Sequence, residues 1–224
     1  MNHTLWSAAA LLAAYLVGSL SFAVIVSRAM GLSDPRSYGS KNPGATNVLR
    51  SGNRTAAILT LVFDALKGYV PVLLVLLFGE RVGLGENTAA FVGLAAFLGH
   101  LWPVFFRFQG GKGVATAAGV LLALNLPLGG LVLMTWLVVA YLSRYSSLAA
   151  LAAALAAPLY QLLLWDGGTP TIPITVMSLL LVWRHTGNIQ KLLAGTESKL
   201  GQKGAAAHTA AATRPHSHSK RGAK

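Results

Sequence analysis

Long uncharged segments separated by short charged gaps decide what this chain can become. Residues 4–27, 88–106, 114–142 and 146–165 contain no Asp, Glu, Lys or Arg. Segment 56–78 is equally apolar apart from Asp64 and Lys67, and 171–183 is a shorter apolar run that must continue toward Leu193 to cross a bilayer. About 20 apolar residues span the hydrocarbon core as a helix. Inside that core every backbone N–H and C=O must be satisfied by the segment itself, which leaves helices for runs of this length. The chain therefore reads as an all-α integral membrane protein. Only 11% of its 224 residues are charged, against about 25% in soluble domains. The first run lacks a preceding basic segment and is longer than a signal-peptide core, so it reads as a span.

Segment 114–142 is too long for one ordinary span, and Asn125, Pro127, Gly129 and Gly130 interrupt it. Read as one tilted helix it gives six spans; read as a hairpin it gives seven, two of them short, at roughly 14 residues and about 20 Å each. Charge placement separates the two. With seven spans and the N-terminus outside, Arg28, Arg36, Lys41, Arg50, Arg54, Arg107, Lys112, Arg144, Arg184 and Lys191 share one face with the C-terminus. The other face keeps only Arg81, with Glu80, Glu86 and Asp166. Six spans would put Arg144, Arg184 and everything after them on the wrong side. We expect seven spans, N-terminus outside, C-terminus cytoplasmic, with two short helices between 114 and 142.

The net charge of +12 does not point to nucleic acid. Six of the Lys and Arg residues lie from Lys199 onward, with no acid among them. Residues 199–224 read as a basic disordered tail that acidic lipid would attract, and 1–198 as one membrane-embedded domain. There is no cysteine, and six carboxylates in all, so thiol chemistry is excluded and no metal site or cofactor is expected.

Three polar loops fall on the basic face. The first contains Ser40, Asn42, Gly44, Thr46, Asn47 and Arg50. It offers hydroxyls, amides, flexible glycine backbone and a guanidinium able to clamp phosphate; an ordinary capped turn fits it as well. The second is Gly110-Gly111-Lys112-Gly113 ahead of a helical run. Backbone N–H groups at a helix start and a lysine make an anion cradle, although a flexible turn has the same composition. It is not a nucleotide-binding P-loop, since position 106 is Phe and position 113 is Gly. The third runs from Arg184 to Glu197. His185 and Asn188 face one way if the helix continues, and His185 could take a proton from a hydroxyl. Glu197 reads as a structural ion-pair partner. His100, and Asp64 with Lys67 one helical turn on, are ionisable groups inside spans. Each is either functional or a buried supporting group.

Together these loops resemble the bacterial acyl-phosphate-dependent glycerol-3-phosphate acyltransferases, the PlsY family. The matching residues are Gly39-Ser40-Lys41-Asn42-Pro43-Gly44-Ala45-Thr46-Asn47-Val48-Leu49-Arg50, then Gly99-His100-Leu101-Trp102-Pro103-Val104-Phe105-Phe106 with Gly110-Gly111-Lys112-Gly113-Val114-Ala115-Thr116. Arg184-His185-Thr186-Gly187-Asn188-Ile189 and Gly195-Thr196-Glu197 complete the set. Asp64, Lys67 and Gly68 also fit. The resemblance covers about residues 10–198. It implies an inner-membrane enzyme, multi-pass and facing the cytoplasm, that moves a fatty acyl group from acyl-phosphate to position 1 of glycerol 3-phosphate. The products are lysophosphatidic acid and phosphate, and the reaction is the first acylation of phospholipid synthesis. It implies catalytic roles for Ser40, Arg50, Lys112, His185 and Asn188. From their own chemistry Asn42, Gly44, Thr46 and Asn47 would bind phosphate, and the resemblance adds Gly110, Gly111 and Gly113, with the second loop taking glycerol 3-phosphate. His100, Asp64, Lys67 and Glu197 would support the site. Physical association with the enzyme that makes acyl-phosphate is left open.

Lys41 and Arg107 depart from the pattern, standing where the family commonly has glycine, and Ser21 stands at a common proline position. The His-x4-Asp pattern of acyl-CoA-dependent acyltransferases is absent. An organic-phosphate transporter is the alternative that shares a cationic face, although no internal repeat supports it.

Overall fold

The computed structural model describes residues 3–201. These residues form ten α-helices and no strand: α1 (His3–Gly18), α2 (Phe22–Ala29), α3 (Ala45–Leu49), α4 (Arg54–Phe78), α5 (Glu86–Leu101), α6 (Val114–Leu124), α7 (Leu126–Ser143), α8 (Ser146–Leu164), α9 (Thr171–Arg184) and α10 (Thr186–Leu193). Arg54–Val82, Glu86–Phe106, Leu126–Ser143 and Ser146–Leu164 are long and apolar enough to cross a membrane. The pair α1 and α2 makes a fifth candidate, bent by 43°; α6 and α9 are apolar but shorter. Side chains such as Leu12, Leu77, Leu163 and Leu179 are mostly exposed, as a helix face in contact with lipid requires.

The bend between α1 and α2 falls at Ser19–Ser21. It frees the Leu20 carbonyl, which accepts a hydrogen bond from Lys67 Nζ at 2.7 Å. The core collects Val72, Val92, Phe97, Leu101, Val120, Leu128 and Ile174. Glycine allows the tightest crossings. A methyl group at Gly18 would collide with the Ala96 backbone, at Gly99 with the Tyr15 carbonyl, and at Gly119 with the Ala65 carbonyl. Apolar tails are as oily as apolar side chains, so close backbone contact of this kind is what packs helices in a bilayer.

The hairpin expected in 114–142 is present, but its two helices are unequal. Asn125 ends α6 and caps α7, its side chain accepting from the Leu128 N–H at 3.0 Å, and Pro127 occupies the first turn of α7. Gly129 and Gly130 do not break α7. Gly129 lies against the Leu121–Leu122 backbone of α6, which turns a glycine expected to interrupt the helix into its packing contact. The result is an 11-residue α6 and an 18-residue α7 in place of two short helices.

The last run also departs from expectation. It does not continue as one helix to Leu193. His185 (φ −97°, ψ 5°) ends α9, and its carbonyl accepts from the Asn188 and Ile189 N–H groups at 2.8 and 2.9 Å, starting α10. The Leu200 N–H donates to the Arg144 carbonyl at 2.7 Å. Positions 202–224 of the expected tail lie outside the described residues.

Candidate active site

The three polar loops meet at one end of the bundle. Lys112 of the glycine loop donates a hydrogen bond to Asn188 Oδ1 on α10. Asn188 Nδ2 in turn donates to Glu197 Oε1 at 2.7 Å, and the Ser147 hydroxyl on α8 donates to the same oxygen, also at 2.7 Å. Arg184 donates through Nη2 to the Gly110 carbonyl at 2.8 Å and through Nε to the Gly111 carbonyl at 3.2 Å. From the first loop, Arg50 Nη2 reaches Ser198 Oγ at 2.5 Å, and Thr46 Oγ1 lies 3.4 Å from Ser146 Oγ. Pro43 packs against Gly111.

The site is crowded with positive charge. Burial first, then Arg184, Lys191 and Arg50, push the Lys112 ammonium down to about 8, and Glu197 acts the other way. An anion entering among these groups would relieve their repulsion. His185 is buried, and its Nδ1 lies 2.8 Å from the Leu181 carbonyl. A carbonyl only accepts, so Nδ1 carries the proton and Nε2 keeps its lone pair. Burial and the Lys112 cation push His185 down to about 4, so the ring is neutral at pH 7.

The first loop is wound on Asn47. This buried side chain donates from Nδ2 to the Pro35 carbonyl at 2.7 Å and to the Tyr38 carbonyl at 3.2 Å, and its Oδ1 accepts from the Ser40 N–H at 3.0 Å. All of these Asn47 amide contacts lie within the loop, so the side chain fixes the loop's shape. Ser40 and Thr46 are exposed, Asn42 and Gly44 half-buried, and Asn42 Nδ2 lies against Gly44. Lys41 has φ +56°, a left-handed conformation that costs a side-chain-bearing residue energy and glycine almost none. Arg107 has φ +55°. Both positions, where the resemblance leads us to expect glycine, thus have backbone angles that favour glycine.

The glycine loop is equally constrained. Gly113 has φ +82°, and a methyl group there would strike the Phe97 ring. The Gly111 N–H is taken by the His100 carbonyl at 3.2 Å, and methyl groups at Gly110 or Gly111 would collide with His100 or Leu101. Gly110 and Gly111 therefore bring the loop onto α5 and under Arg184. α6 opens directly after Gly113, so its first N–H groups lie at the end of this loop.

Beneath the loop lies a buried polar cluster. Lys67 Nζ is 2.8 Å from Asp64 Oδ1, and His100 Nδ1 is 3.7 Å from the same oxygen. The Thr116 hydroxyl donates to the Asp64 carbonyl at 2.9 Å, leaving its oxygen to accept from His100 Nδ1, 3.2 Å away. These supporting residues tie α4, α5 and α6 together under the cradle. Arg184 and Ser147 did not stand out among the candidate side chains of the sequence. Arg184 reads there as one more cytoplasmic-face arginine, although its place next to His185 in the third motif was the available signal. Ser147 lies in no motif.

The chain is similar to known proteins over most of its length. The family model described as Glycerol-3-phosphate acyltransferase matches residues 8–195. A glycerol-3-phosphate acyltransferase of Paraburkholderia phytofirmans is 65% identical over 190 residues, covering 85% of this chain and 89% of that one. Its counterpart in a Janthinobacterium species is 64% identical over 203 residues, covering 91% and 99%. Among solved structures, crystal structures of PlsY (YgiH), an integral membrane glycerol 3-phosphate acyltransferase, superpose on it. The glycerol 3-phosphate form has a TM-score of 0.81 at 36% identity, covering 87% of this chain and 96% of that one. The lysophosphatidic acid form has a TM-score of 0.78 at 35% identity, covering 86% and 94%. The converging loops and these relatives agree: this chain belongs to the glycerol-3-phosphate acyltransferase family, that of PlsY, and is an acyltransferase.

Proposed function

We propose that this enzyme transfers a fatty acyl group from acyl-phosphate to position 1 of glycerol 3-phosphate, giving lysophosphatidic acid and inorganic phosphate. The observation that carries this reading is the convergence of Arg50, Lys112, Arg184 and Asn188 from three loops at one end of an apolar bundle. Two anionic reactants need such a charge-lined meeting point, and an acyl-phosphate is already activated, so positioning and charge neutralisation supply the catalysis.

In this reading Lys112, Arg50, Asn188 and the N–H groups opening α6 hold the phosphates, with Ser40, Asn42, Gly44 and Thr46 along the loop edge. Asn47, Gly110, Gly111, Arg184, Glu197 and the Asp64–Lys67–His100 cluster hold the loops. The glycerol hydroxyl oxygen attacks the acyl carbon, a carbon–oxygen bond forms, and the bond from that carbon to the phosphate oxygen breaks. The proton passes to His185 Nε2 or to a phosphate oxygen. A ring held near 4 is a weak base, so His185 orients the hydroxyl as an acceptor and a phosphate oxygen is the better final proton carrier.

The same reading places the enzyme in a bacterial inner membrane with seven spans: the bent pair α1–α2, then α4, α5, α6, α7, α8 and α9. The N-terminus would be outside and the site cytoplasmic, where its water-soluble substrate resides. The test is direct. The purified chain is given glycerol 3-phosphate with acyl-phosphate, or with acyl-CoA, and both phosphate and lysophosphatidic acid are measured. Equimolar phosphate and lysophosphatidic acid from acyl-phosphate alone is the expected result. Turnover of acyl-CoA without acyl-phosphate would assign a different donor.

A further inference from the structure

A cavity lies beside the first and second loops, and none of the site residues named above lines it. Its volume is about 520 Å³, and its wall includes Arg28, Arg36, Arg107, Asp34 and Phe106. An apolar cavity of about 320 Å³ runs along Val24, Ile25 and Ala29 of α2 and shares Arg28 and Phe106 with the first. A polar chamber and an apolar groove are thus joined at one guanidinium and one aromatic ring.

The charges in the chamber do not cancel. Arg36 is clamped on Asp34, with Nη2 2.6 Å and Nε 3.0 Å from its carboxylate oxygens, and it lies over the Phe106 ring at 5.9 Å. That pair is neutral. Arg28 and Arg107 form no ion pair within contact distance among the described residues. Arg28 stands in the last turn of α2. Arg107 stands in a left-handed turn that leaves the rings of Phe105 and Phe108 58% and 57% exposed. Exposed apolar rings of this kind face lipid tails, while an arginine at the end of a span keeps its charge at the headgroup level.

We propose that the two cavities form one binding site for an anionic phospholipid of the leaflet on the active-site side. Its phosphate lies between Arg28 and Arg107, and one acyl chain lies along Val24 and Ile25. Basic pockets between helices at the interface select acidic headgroups, and guanidinium groups bind phosphate oxygens in pairs. A free phosphate would leave the apolar half without a partner. A zwitterionic lipid brings its own ammonium to two uncompensated cations.

The test uses the full chain purified in neutral detergent and exposed to an equimolar mixture of phosphatidylglycerol and phosphatidylcholine. Lipid retained per chain is then read by native mass spectrometry. Preferential retention of phosphatidylglycerol is expected. The Arg28→Gln and Arg107→Gln changes should each lower it roughly fivefold, while Arg81→Gln, beyond the far end of α4, leaves it unchanged. Turnover in detergent should stay at the wild-type level in all three. Equal retention of the two lipids by the wild type would overturn the proposal, and this comparison decides even if a variant does not fold. Unchanged retention in the Arg28→Gln/Arg107→Gln variant would also overturn it. So would displacement of the retained lipid by a non-reactive alkyl phosphate at concentrations that inhibit turnover, which would make the cavity part of the acyl donor's path.

Discussion

Arg184 grips the glycine loop by its carbonyls, with Nη2 2.8 Å from the Gly110 oxygen and Nε 3.2 Å from the Gly111 oxygen. A carbonyl turned toward a guanidinium turns its peptide N–H the other way, so this contact sets the loop's orientation as well as its position. Hydrogen bonds to charged groups contribute about 1.5–3 kcal/mol each. Arg184→Ala should therefore raise KM for glycerol 3-phosphate tenfold or more, and Arg184→Lys, which cannot fork across two carbonyls, should restore little. Steady-state kinetics on both variants check this, and an unchanged KM would remove Arg184 from the loop's support.

The charge on Lys112 gives the pH dependence. With Lys112 held at about 8, the free enzyme carries the ammonium below that pH and loses it above. Affinity for glycerol 3-phosphate, read as kcat/KM, should fall as pH rises through about 8. Glu197 favours the charged lysine, so Glu197→Gln removes that support and should move the alkaline limb to lower pH. Lys112→Arg should abolish the limb whatever its effect on rate. His185, at about 4, stays neutral across this range and contributes no limb of its own near pH 6.5. A pH profile of the wild type and both variants reads all of these.

Lys41 tests whether the first loop's backbone or its charge matters. Its φ of +56° costs a non-glycine residue about 1–2 kcal/mol, and glycine returns part of that as chain entropy. Lys41→Gly should leave the protein equally stable or up to about 1 kcal/mol more stable, and Lys41→Val should destabilise it. Thermal unfolding in detergent gives the answer. A rise in KM for either substrate in Lys41→Gly would show that the ammonium also contacts phosphate.

These residues show how much was legible in the sequence. Apolar runs and their charged gaps give the helical bundle and the break at Asn125, because span length and backbone satisfaction leave few alternatives. Motif spacing gives Lys112, Asn188 and Arg50. What escaped is set by tertiary contact. Gly129 looks like a helix breaker until α6 packs against it. The hold of the Asn47 amide on the Pro35 and Tyr38 carbonyls exists only once the loop is folded. His185 looks like one rung of a continuous helix with Asn188, yet the helix breaks there and the two side chains serve different neighbours. Arg184 is one more basic residue until the glycine loop comes beneath it.

The buried pair under the cradle makes a separate prediction. Lys67 and Asp64 are both almost fully buried and 2.8 Å apart. Removing one partner of such a pair strands the other charge and costs about 3–5 kcal/mol, whereas replacing both with apolar groups is often neutral. Asp64→Asn should unfold at markedly lower temperature, and Asp64→Leu/Lys67→Met should recover most of that loss. If the double variant is stable but slow, the cluster positions the glycine loop through His100 as well as holding the helices.

The most direct measurement is a double-mutant cycle between loops that are far apart in sequence. Lys112→Ala, Asn188→Ala and the double variant are compared by kcat/KM with acyl-phosphate and glycerol 3-phosphate. Residues in contact couple by about 0.5–3 kcal/mol, so the double variant should lose much less than the sum of the single losses. Losses that add within about 0.5 kcal/mol would mean that the second and third loops do not act on one phosphate, and the account of a single shared pocket would fail.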